Sequence, residues 1–527
     1  MVEKRNLLGR LLTKKTFYTL CFLGLSLVEF LRCTQPGNIW KTAANCTGIV
    51  MMLIVFSGLD VKAFLRPFGY VYTALCLVAA VGIYWYWTGH VGYILLGQAE
   101  TALFNIWWLG LVWRHLFDRI FVKKNLKLSI GINGGLWIAL SVWTVISVAG
   151  RWWPIWFLFM FGAFYLVHYS RQDLQDLFDA MVGGTILACF LIQGWAYLFR
   201  PYDEVRYKGA FANCNMMALY FLIVYCMTLY KLHILHIRGA ARGRKLFWFA
   251  VAGGLLGFQF LTMCRTAWVV AVAITVVYGL TALRRVWGDS IGKLLMRGVA
   301  LTVAAVVLFP AVYLSVRWIP TIHPHPVWFE GEYSESRVHS WDPATSPKYV
   351  DIEQVLETAF GRFYSSLRVM DAHNPFVLHA YAKSGEGMLE EVGINLHDSA
   401  MQGRLAIYKT YLKNATWLGR PEKDGHYVSE SGYQVWHAQN LWIQIIYYFG
   451  YPAGILLLAL TVTVLVSALR RQKDLAKNPR VLLLLLIVLV YFLFGLMEIV
   501  WNPGQLILTL IFLVHHPQFV EIEGNNE

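Results

Sequence analysis

Runs of about 20 apolar residues recur along the chain, and each has the length that an α-helix needs to cross the hydrocarbon core of a bilayer. Hydrophobic residues make up 57% of the sequence and charged residues only 14%, a composition that excludes an ordinary soluble enzyme. We therefore predict an all-α polytopic membrane protein with about 12 to 14 transmembrane helices. The predicted spans cover residues 16–34, 46–62, 68–88, 91–113, 128–149, 153–169, 180–199, 214–231, 246–263, 267–283, 298–318, 453–469, 481–498 and 503–515.

The lysines and arginines between these spans set the predicted orientation. They cluster at Lys4–Lys15, Arg114–Lys127, Lys231–Lys245, Arg284–Arg297 and Arg470–Arg480, which fall on one side of the membrane when the N-terminus is inside. Loops rich in Lys and Arg stay in the cytoplasm. We therefore predict a multi-pass protein of the cytoplasmic membrane with both termini inside. These clusters also account for the formal net charge of +14 without a nucleic-acid partner.

One connection is far longer than the others and divides the chain into three parts. Residues 1–318 form an N-terminal bundle of about 11 predicted spans. Residues 319–436 form a mildly acidic extracytoplasmic loop domain that contains none of the eight cysteines, so no disulfide framework is expected there. Residues 437–527 hold an interfacial helix and the last transmembrane helices. A loop of this length is typical of a functional segment rather than a simple connector.

Two stretches of the loop show helical periodicity. Val350–Met370 and Arg404–Leu418 each repeat apolar residues at the spacing of a helix face, and Gly419 would end the second helix. Arg404 would then open that helix. The sequence therefore predicts a partly helical loop domain.

The segment that follows the loop contains a predicted break. Leu441–Leu469 would be about 44 Å long as one helix, which exceeds the hydrocarbon core of ~30 Å. Gly450 and Pro452 are the natural interruption, with a short interfacial helix before them and a crossing after them. Asn440 is a good N-cap for the short helix. His437 would therefore lie at the outer membrane surface, just before a helix start.

Several side chains near this outer surface have useful chemistry. Histidine has an unperturbed pKa of about 6.5 and so suits proton abstraction near neutral pH. Arg265 must lie at a helix end, because the apolar run around it is long enough to cross the membrane twice. Arg206 and Arg404 fall on the same predicted side, and a guanidinium fits phosphate oxygens. Asn213 or Asn215 would cap the next helix, and Glu498 is a polar group that lipid would penalise.

Four local patterns together resemble one known family. They are Arg206–Ala218, with an Asn-x-Asn step; Cys264–Trp268; Gly403–Lys409 with Gly419 after it; and His437–Gly450. In order and spacing they resemble the O-antigen ligase and O-antigen polymerase superfamily of bacterial envelope glycan enzymes. Cys264 stands where the family usually has Ser, and Gln439 stands where it usually has the His before Asn. A glutamine cannot act as a base at pH 7.

The resemblance implies a glycosyltransferase of GT-C type in the bacterial cytoplasmic membrane. It would move a glycan from a polyprenyl pyrophosphate carrier to an acceptor hydroxyl of a glycan or glycolipid, with inversion and without a metal or cofactor, at the outer face. The implied roles are proton abstraction by His437, orientation of the acceptor by Gln439, binding of the pyrophosphate by Arg265, Arg404 and Arg206, and secondary contacts from Asn213, Asn215, Asn440 and Glu498.

Two other functions remain open at this level. A multi-pass transporter or flippase of lipid-linked glycans would share the hydrophobic spans, although inverted repeats and broken midplane helices are typical of transporters. A peptidoglycan polymerase would require a functional aspartate in the loop, for example Asp398. Polymerase and ligase activities are not separable from sequence.

The orientation can be tested with a cysteine introduced into the loop. We expect Ser384→Cys to react with a membrane-impermeant maleimide in intact cells, because residues 319–436 are predicted to lie outside. Ala240→Cys, in a predicted cytoplasmic connection, is the control and should react only after permeabilisation. The opposite pattern at the two positions would contradict this topology.

Overall fold

A computed structural model describes most of the predicted membrane bundle and part of the loop domain. It covers residues 13–34, 47–48, 50–55, 57–59, 67–90, 110–122, 131–147, 167, 169–199, 206–209, 211, 214–319, 352–367, 400–420, 427–428, 434–435, 437–471, 475, 478–500 and 510. Nearly all of the predicted spans 153–169 and 503–515 lies outside the described residues, as do Asn213 and Asp398.

The described chain is mostly helical. In chain order its α-helices are α1 Lys14–Thr34, α2 Pro67–His90, α3 Gly131–Ile146, α4 Arg171–Phe199, α5 Cys214–Ile237, α6 Arg242–Leu261, α7 Arg265–Tyr278, α8 Ile291–Trp318, α9 Ile352–Leu367, α10 Ala400–Lys413, α11 Leu441–Phe449, α12 Tyr451–Arg471 and α13 Arg480–Gly495. Two π-helical segments are also described, Asp118–Val122 and Gly279–Val286, the second as a continuation of α7. Residues 50–55 and 110–117 are helical as well.

Five of these helices are long and apolar enough to cross a membrane. They are Gln172–Tyr197 within α4, Cys214–Ile237, Arg265–Val286, Ile291–Val316 within α8, and Tyr451–Arg471. Shorter apolar helices lie at Gly131–Ile146 and Arg480–Gly495. The mostly helical character of the described chain is therefore confirmed, and its long apolar helices are compatible with a multi-pass membrane protein.

Helix α5 lies at the centre of the bundle. It is apolar on all sides and its residues from Met217 to Tyr230 are all buried, as expected for a helix that neighbouring helices surround completely. Helices α4, α6, α7 and α13 all pack against it. Helix α13 is buried almost as fully, which places the C-terminal part of the chain in the same core as α5.

The two ends of this bundle differ in composition. The basic clusters Lys231–Lys245, Arg284–Arg297 and Arg470–Arg480 lie where α5, α7 and α12 end, and where α6, α8 and α13 begin. The start of α5, the end of α6, the start of α7 and the end of α13 therefore meet at the opposite end. The candidate site residues lie at that second end.

Several helix boundaries differ from the sequence predictions. The helix predicted over 404–418 runs instead over Ala400–Lys413, so Arg404 lies in its second turn and does not open it. Gly419 lies six residues beyond the helix end and does not terminate it. The helix predicted over 350–370 is shorter, at Ile352–Leu367. Several predicted spans extend further than expected, because helices such as α4 continue past the apolar run into polar turns.

The loop also contains a small departure from an all-α fold. Tyr427–Val428 and Gln434–Val435 form a two-residue antiparallel pair, which is too short to show as alternation in the sequence.

The predicted break after the loop is confirmed. Asn440 caps α11, since its Oδ1 accepts a hydrogen bond from the Ile443 backbone N–H at 3.1 Å. Helix α11 ends at Phe449, and Gly450 separates it from α12. Pro452 does not interrupt a helix; it lies in the first turn of α12, where its missing N–H costs nothing.

Gly450 and Gly419 form the tightest backbone contact between loop and bundle. Their φ angles are +89° and +80°, in the region that favours glycine. A Cβ at Gly450 would overlap the Trp417 carbonyl, and a Cβ at Gly419 would overlap the Tyr448 carbonyl. The Arg420 N–H donates to the Tyr447 carbonyl at 2.8 Å beside them. This contact fixes the end of α10 against the α11–α12 junction.

We expect Gly450→Ala to destabilise the protein strongly. The left-handed conformation costs a residue with a Cβ about 1–2 kcal/mol, and overlap with a neighbouring backbone adds about 1–3 kcal/mol. Gly239→Ala is the matched control, because Gly239 has φ +61° and open space around it. The measurement is the folded fraction after heating in detergent. Equal losses in the two variants would contradict the close approach at Gly450.

Candidate functional site

The segment before α5 is fixed against the end of α6. The Tyr207 N–H donates to the Leu261 carbonyl at 2.8 Å, and Arg206 Nε donates to the Thr262 carbonyl at 3.2 Å. The Tyr207 hydroxyl accepts a hydrogen bond from Gln193 Nε2 at 2.6 Å in the buried interior. These bonds place the Arg206 guanidinium at the end of the bundle where α6 turns into α7.

The turn from α6 to α7 places Arg265 at a helix start, as predicted. Met263 has φ +50°, an uncommon conformation for a residue with a side chain, and Cys264 occupies the N-cap position of α7. Arg265 is the first residue of that helix. Cys264 is buried, and burial raises the pKa of its thiol to about 11.

A chain of side-chain hydrogen bonds joins three distant segments at this end. Arg206 Nη2 donates to Asn215 Oδ1 at 2.8 Å, and Asn215 Nδ2 donates to Glu498 Oε1 at 2.6 Å. Asn215 lies in the first turn of α5 and uses its amide in this chain, so it is not the helix cap that the sequence suggested. Glu498 lies in the turn after α13. The carboxyl is therefore held in place by the α5 terminus.

Helix α10 brings a second arginine to the same carboxyl. Arg404 Nη1 contacts the Met497 sulfur at 2.8 Å, beside Glu498. One turn later, the Tyr408 hydroxyl lies 3.0 Å from the Leu496 carbonyl. The Leu496 carbonyl also accepts a hydrogen bond from Asn440 Nδ2 at 3.0 Å. The turn after α13 is thus the point where the loop helix α10 and the capped start of α11 meet the bundle.

A further arginine reaches the site from helix α9, and sequence reasoning did not identify it. Arg362 Nη1 donates to the Met263 carbonyl at 3.4 Å, within the α6–α7 turn. The Phe360 ring packs near Phe260 of α6, with ring centroids 6.5 Å apart. The signal in the sequence was a single arginine within the apolar pattern of α9, a position that a solvated helix face explains equally well.

The electrostatics of this end are dominated by the arginines. The pKa of Arg362 falls to about 10, first because burial disfavours the charged form and then because Arg206 and Arg265 repel it. Burial raises the pKa of Glu498 above its usual range, although Arg404, the Asn215 hydrogen bond and Arg206 oppose the shift. An anion in this region would receive several charge-assisted hydrogen bonds.

The two predicted catalytic residues lie at the start of α11, and their roles stay predictions. His437 is exposed to solvent, although the protein around it still desolvates the charged ring and lowers its pKa. Within the described part of the chain, no hydrogen bond joins the His437 ring to any of the arginines. Gln439 has φ +49°, and its carbonyl lies 3.3 Å from the Tyr408 hydroxyl.

The site residues therefore fall into two groups. The structure brings together Arg206, Asn215, Arg265, Arg362, Arg404 and Glu498, with Asn440 bonded to the same turn as Glu498. Among the described residues, no hydrogen bond or ion pair joins the His437 ring or the Gln439 side chain to them. In that part of the chain, no three His, Cys, Asp or Glu side chains form a group that could hold a metal ion.

The reactivity of Cys264 provides a direct measure of burial at the site. A thiol with a pKa of about 11 has about 100-fold less thiolate at neutral pH than an ordinary cysteine, and the thiolate is the form that is alkylated. We expect slow alkylation of Cys264 at pH 7, with a rate that rises as the pH approaches 11. Leu405→Cys on the exposed side of α10 is the matched control. Equal rates at the two positions, measured by mass spectrometry, would contradict the burial.

The chain was also compared with known proteins. No protein-family model, no curated protein and no solved structure matches it. The function must therefore be argued from the cluster of arginines around Glu498.

Proposed function

We propose that this protein is a membrane-embedded glycosyltransferase that takes a glycan from a polyprenyl pyrophosphate carrier and attaches it to an acceptor hydroxyl. The observation that carries the proposal is the convergence of Arg206, Arg265, Arg362 and Arg404 at one end of an apolar helix bundle. A polyprenyl pyrophosphate has the matching chemistry, because its anionic head lies at the membrane surface while its hydrocarbon chain stays in the bilayer.

The chemistry of the transfer explains why arginines are needed. Departure of the glycan leaves several negative charges on the pyrophosphate, and arginines that are already in place would stabilise charge that develops in the transition state. Each guanidinium can donate two parallel hydrogen bonds to phosphate oxygens. A single displacement of this kind inverts the anomeric centre. The arginines would supply the charge stabilisation that a metal ion supplies in other transferases, and no other cofactor is required.

We also propose a specific membrane fold, orientation and cellular location for the protein. The described helices would belong to a GT-C-like bundle of about 12 to 14 spans in the bacterial cytoplasmic membrane, with the arginine cluster facing outside. The basic clusters at the other end of the bundle support this orientation, because such clusters stay in the cytoplasm. The product would be an envelope polysaccharide or a glycan joined to a glycolipid.

We expect Arg404→Lys and Arg362→Lys to weaken binding of farnesyl pyrophosphate, a short polyprenyl pyrophosphate, by about 10- to 100-fold. Lysine keeps the charge but cannot form a bidentate contact, and a hydrogen bond between charged groups contributes about 1.5–3 kcal/mol. Binding to the purified full-length protein in nanodiscs is the measurement.

Arg244→Lys is the matched control, since Arg244 is exposed at the opposite end of the bundle. Its affinity for farnesyl pyrophosphate should equal that of the unmodified protein. Unchanged affinity in both site variants would show that the arginines do not hold a pyrophosphate. A lipid-linked glycan that crosses the membrane without a change in glycan length would favour a transporter instead.

A further inference from the structure

Glu498 occupies an unusual position for a carboxyl group near the end of an apolar helix. Its Oε1 accepts a hydrogen bond from Asn215 at 2.6 Å, and Asn215 is itself held by Arg206 at 2.8 Å. Arg404 lies beside it through Met497. Within the described part of the chain no hydrogen bond engages Oε2, and the side chain is only partly buried. One oxygen is therefore fixed while the other can reach a ligand.

A carboxyl whose only role was to neutralise arginines would be expected to form direct ion pairs with them. Among the described residues no ion pair within 4.0 Å joins Glu498 to an arginine; the short contact runs through the neutral amide of Asn215. The arginines nevertheless lie close enough to favour the ionised form of Glu498. The carboxyl thus has arginines nearby that favour its charged form, but none of them covers it with a direct ion pair, which is the arrangement that a proton acceptor requires.

We infer that Glu498 takes the proton from the acceptor hydroxyl in the transfer reaction, an inference that rests on the proposed function. Geometry carries it, because Glu498 is held by Asn215 and Arg206 and lies beside Arg404. Among the described residues, no hydrogen bond joins the His437 ring to an arginine. The general base must lie within hydrogen-bond reach of the attacking hydroxyl, which in turn must reach the anomeric carbon bonded to the pyrophosphate.

The step balances as a single displacement. The acceptor oxygen forms a bond to the anomeric carbon while its proton moves to Glu498 Oε2. The bond between the anomeric carbon and the pyrophosphate oxygen breaks, and its electron pair stays on the pyrophosphate, whose added charge the arginines stabilise. Glu498 then releases the proton to water through its exposed side.

Burial makes Glu498 better suited to this role than a solvent-exposed glutamate. Desolvation raises the pKa of its carboxyl above the usual range, which increases its affinity for a proton. Arg404, the Asn215 hydrogen bond and Arg206 oppose that rise. Tyr408 and Cys264 also lie near Glu498, and burial raises the pKa of both the Tyr408 phenol and the Cys264 thiol, so both stay neutral.

The central test compares turnover with donor binding in the full-length protein. Glu498→Gln has nearly the same shape as the native side chain and keeps an acceptor for Asn215, but it cannot accept a proton. We expect glycan formation in membranes from the host cell to fall by about 10²- to 10⁴-fold. Binding of farnesyl pyrophosphate should stay within about threefold or become tighter, since a negative charge near the anion is removed.

Two further variants separate a proton acceptor from a structural carboxyl. Glu498→Asp keeps the charge and should recover part of the lost turnover. Asn215→Ala, which frees the carboxyl to rotate, should reduce turnover more than it reduces binding of farnesyl pyrophosphate.

Several results would overturn the inference. Glu498 is not the base if Glu498→Gln keeps more than about a tenth of the turnover, or if it loses donor binding in proportion to turnover. Failure of the proposed function looks different, because the unmodified protein would then not bind farnesyl pyrophosphate and the arginine variants would leave glycan formation unchanged.

Discussion

The close approach of two backbone segments, at Gly419 and at Gly450, is the constraint that positions the loop helix of the site. Both glycines have positive φ angles, and each lies where a Cβ would overlap the facing carbonyl. The hydrogen bond from Arg420 N–H to Tyr447, and those from Tyr451 to Thr416 and Leu412, continue the contact on either side. Because α10 ends just before this contact, its arginine is held at a fixed distance from the membrane helices.

A second constraint on the site is the burial and mutual repulsion of its arginines at the same end of the bundle. Burial lowers the pKa of Arg362, and repulsion from Arg206 and Arg265 lowers it further. The carboxyl of Glu498, which Arg206 reaches through the Asn215 amide, reduces this repulsion only in part. Under the proposed function, an anion with several oxygens would make the arrangement favourable, because each oxygen would accept hydrogen bonds in place of water.

The parts of this structure that depend on residues close together in the sequence could be predicted from the sequence. The length of the apolar run and the N-cap preference of asparagine were sufficient to predict α11 and its end at Gly450. The same length argument placed Arg265 at a helix start. The bond between Asn215 and Glu498 was not predictable, since it joins residues 283 positions apart and depends on the packing of α5 against α13. Arg362 was missed for the same reason.

The site residues lie far apart in the sequence, and this separation decides when the site can form during biosynthesis. Arg206 emerges from the ribosome long before Glu498, and the loop helices emerge between them. During translation, Arg206 is made before Arg404 and before Glu498. The Glu498 carboxylate can bond to Asn215, and through it to Arg206, only after α13 has packed against α5. Under the proposed function, the nascent protein would present no complete anion site to charged lipids while it is still being inserted. The site would be completed only when α13 packs against α5.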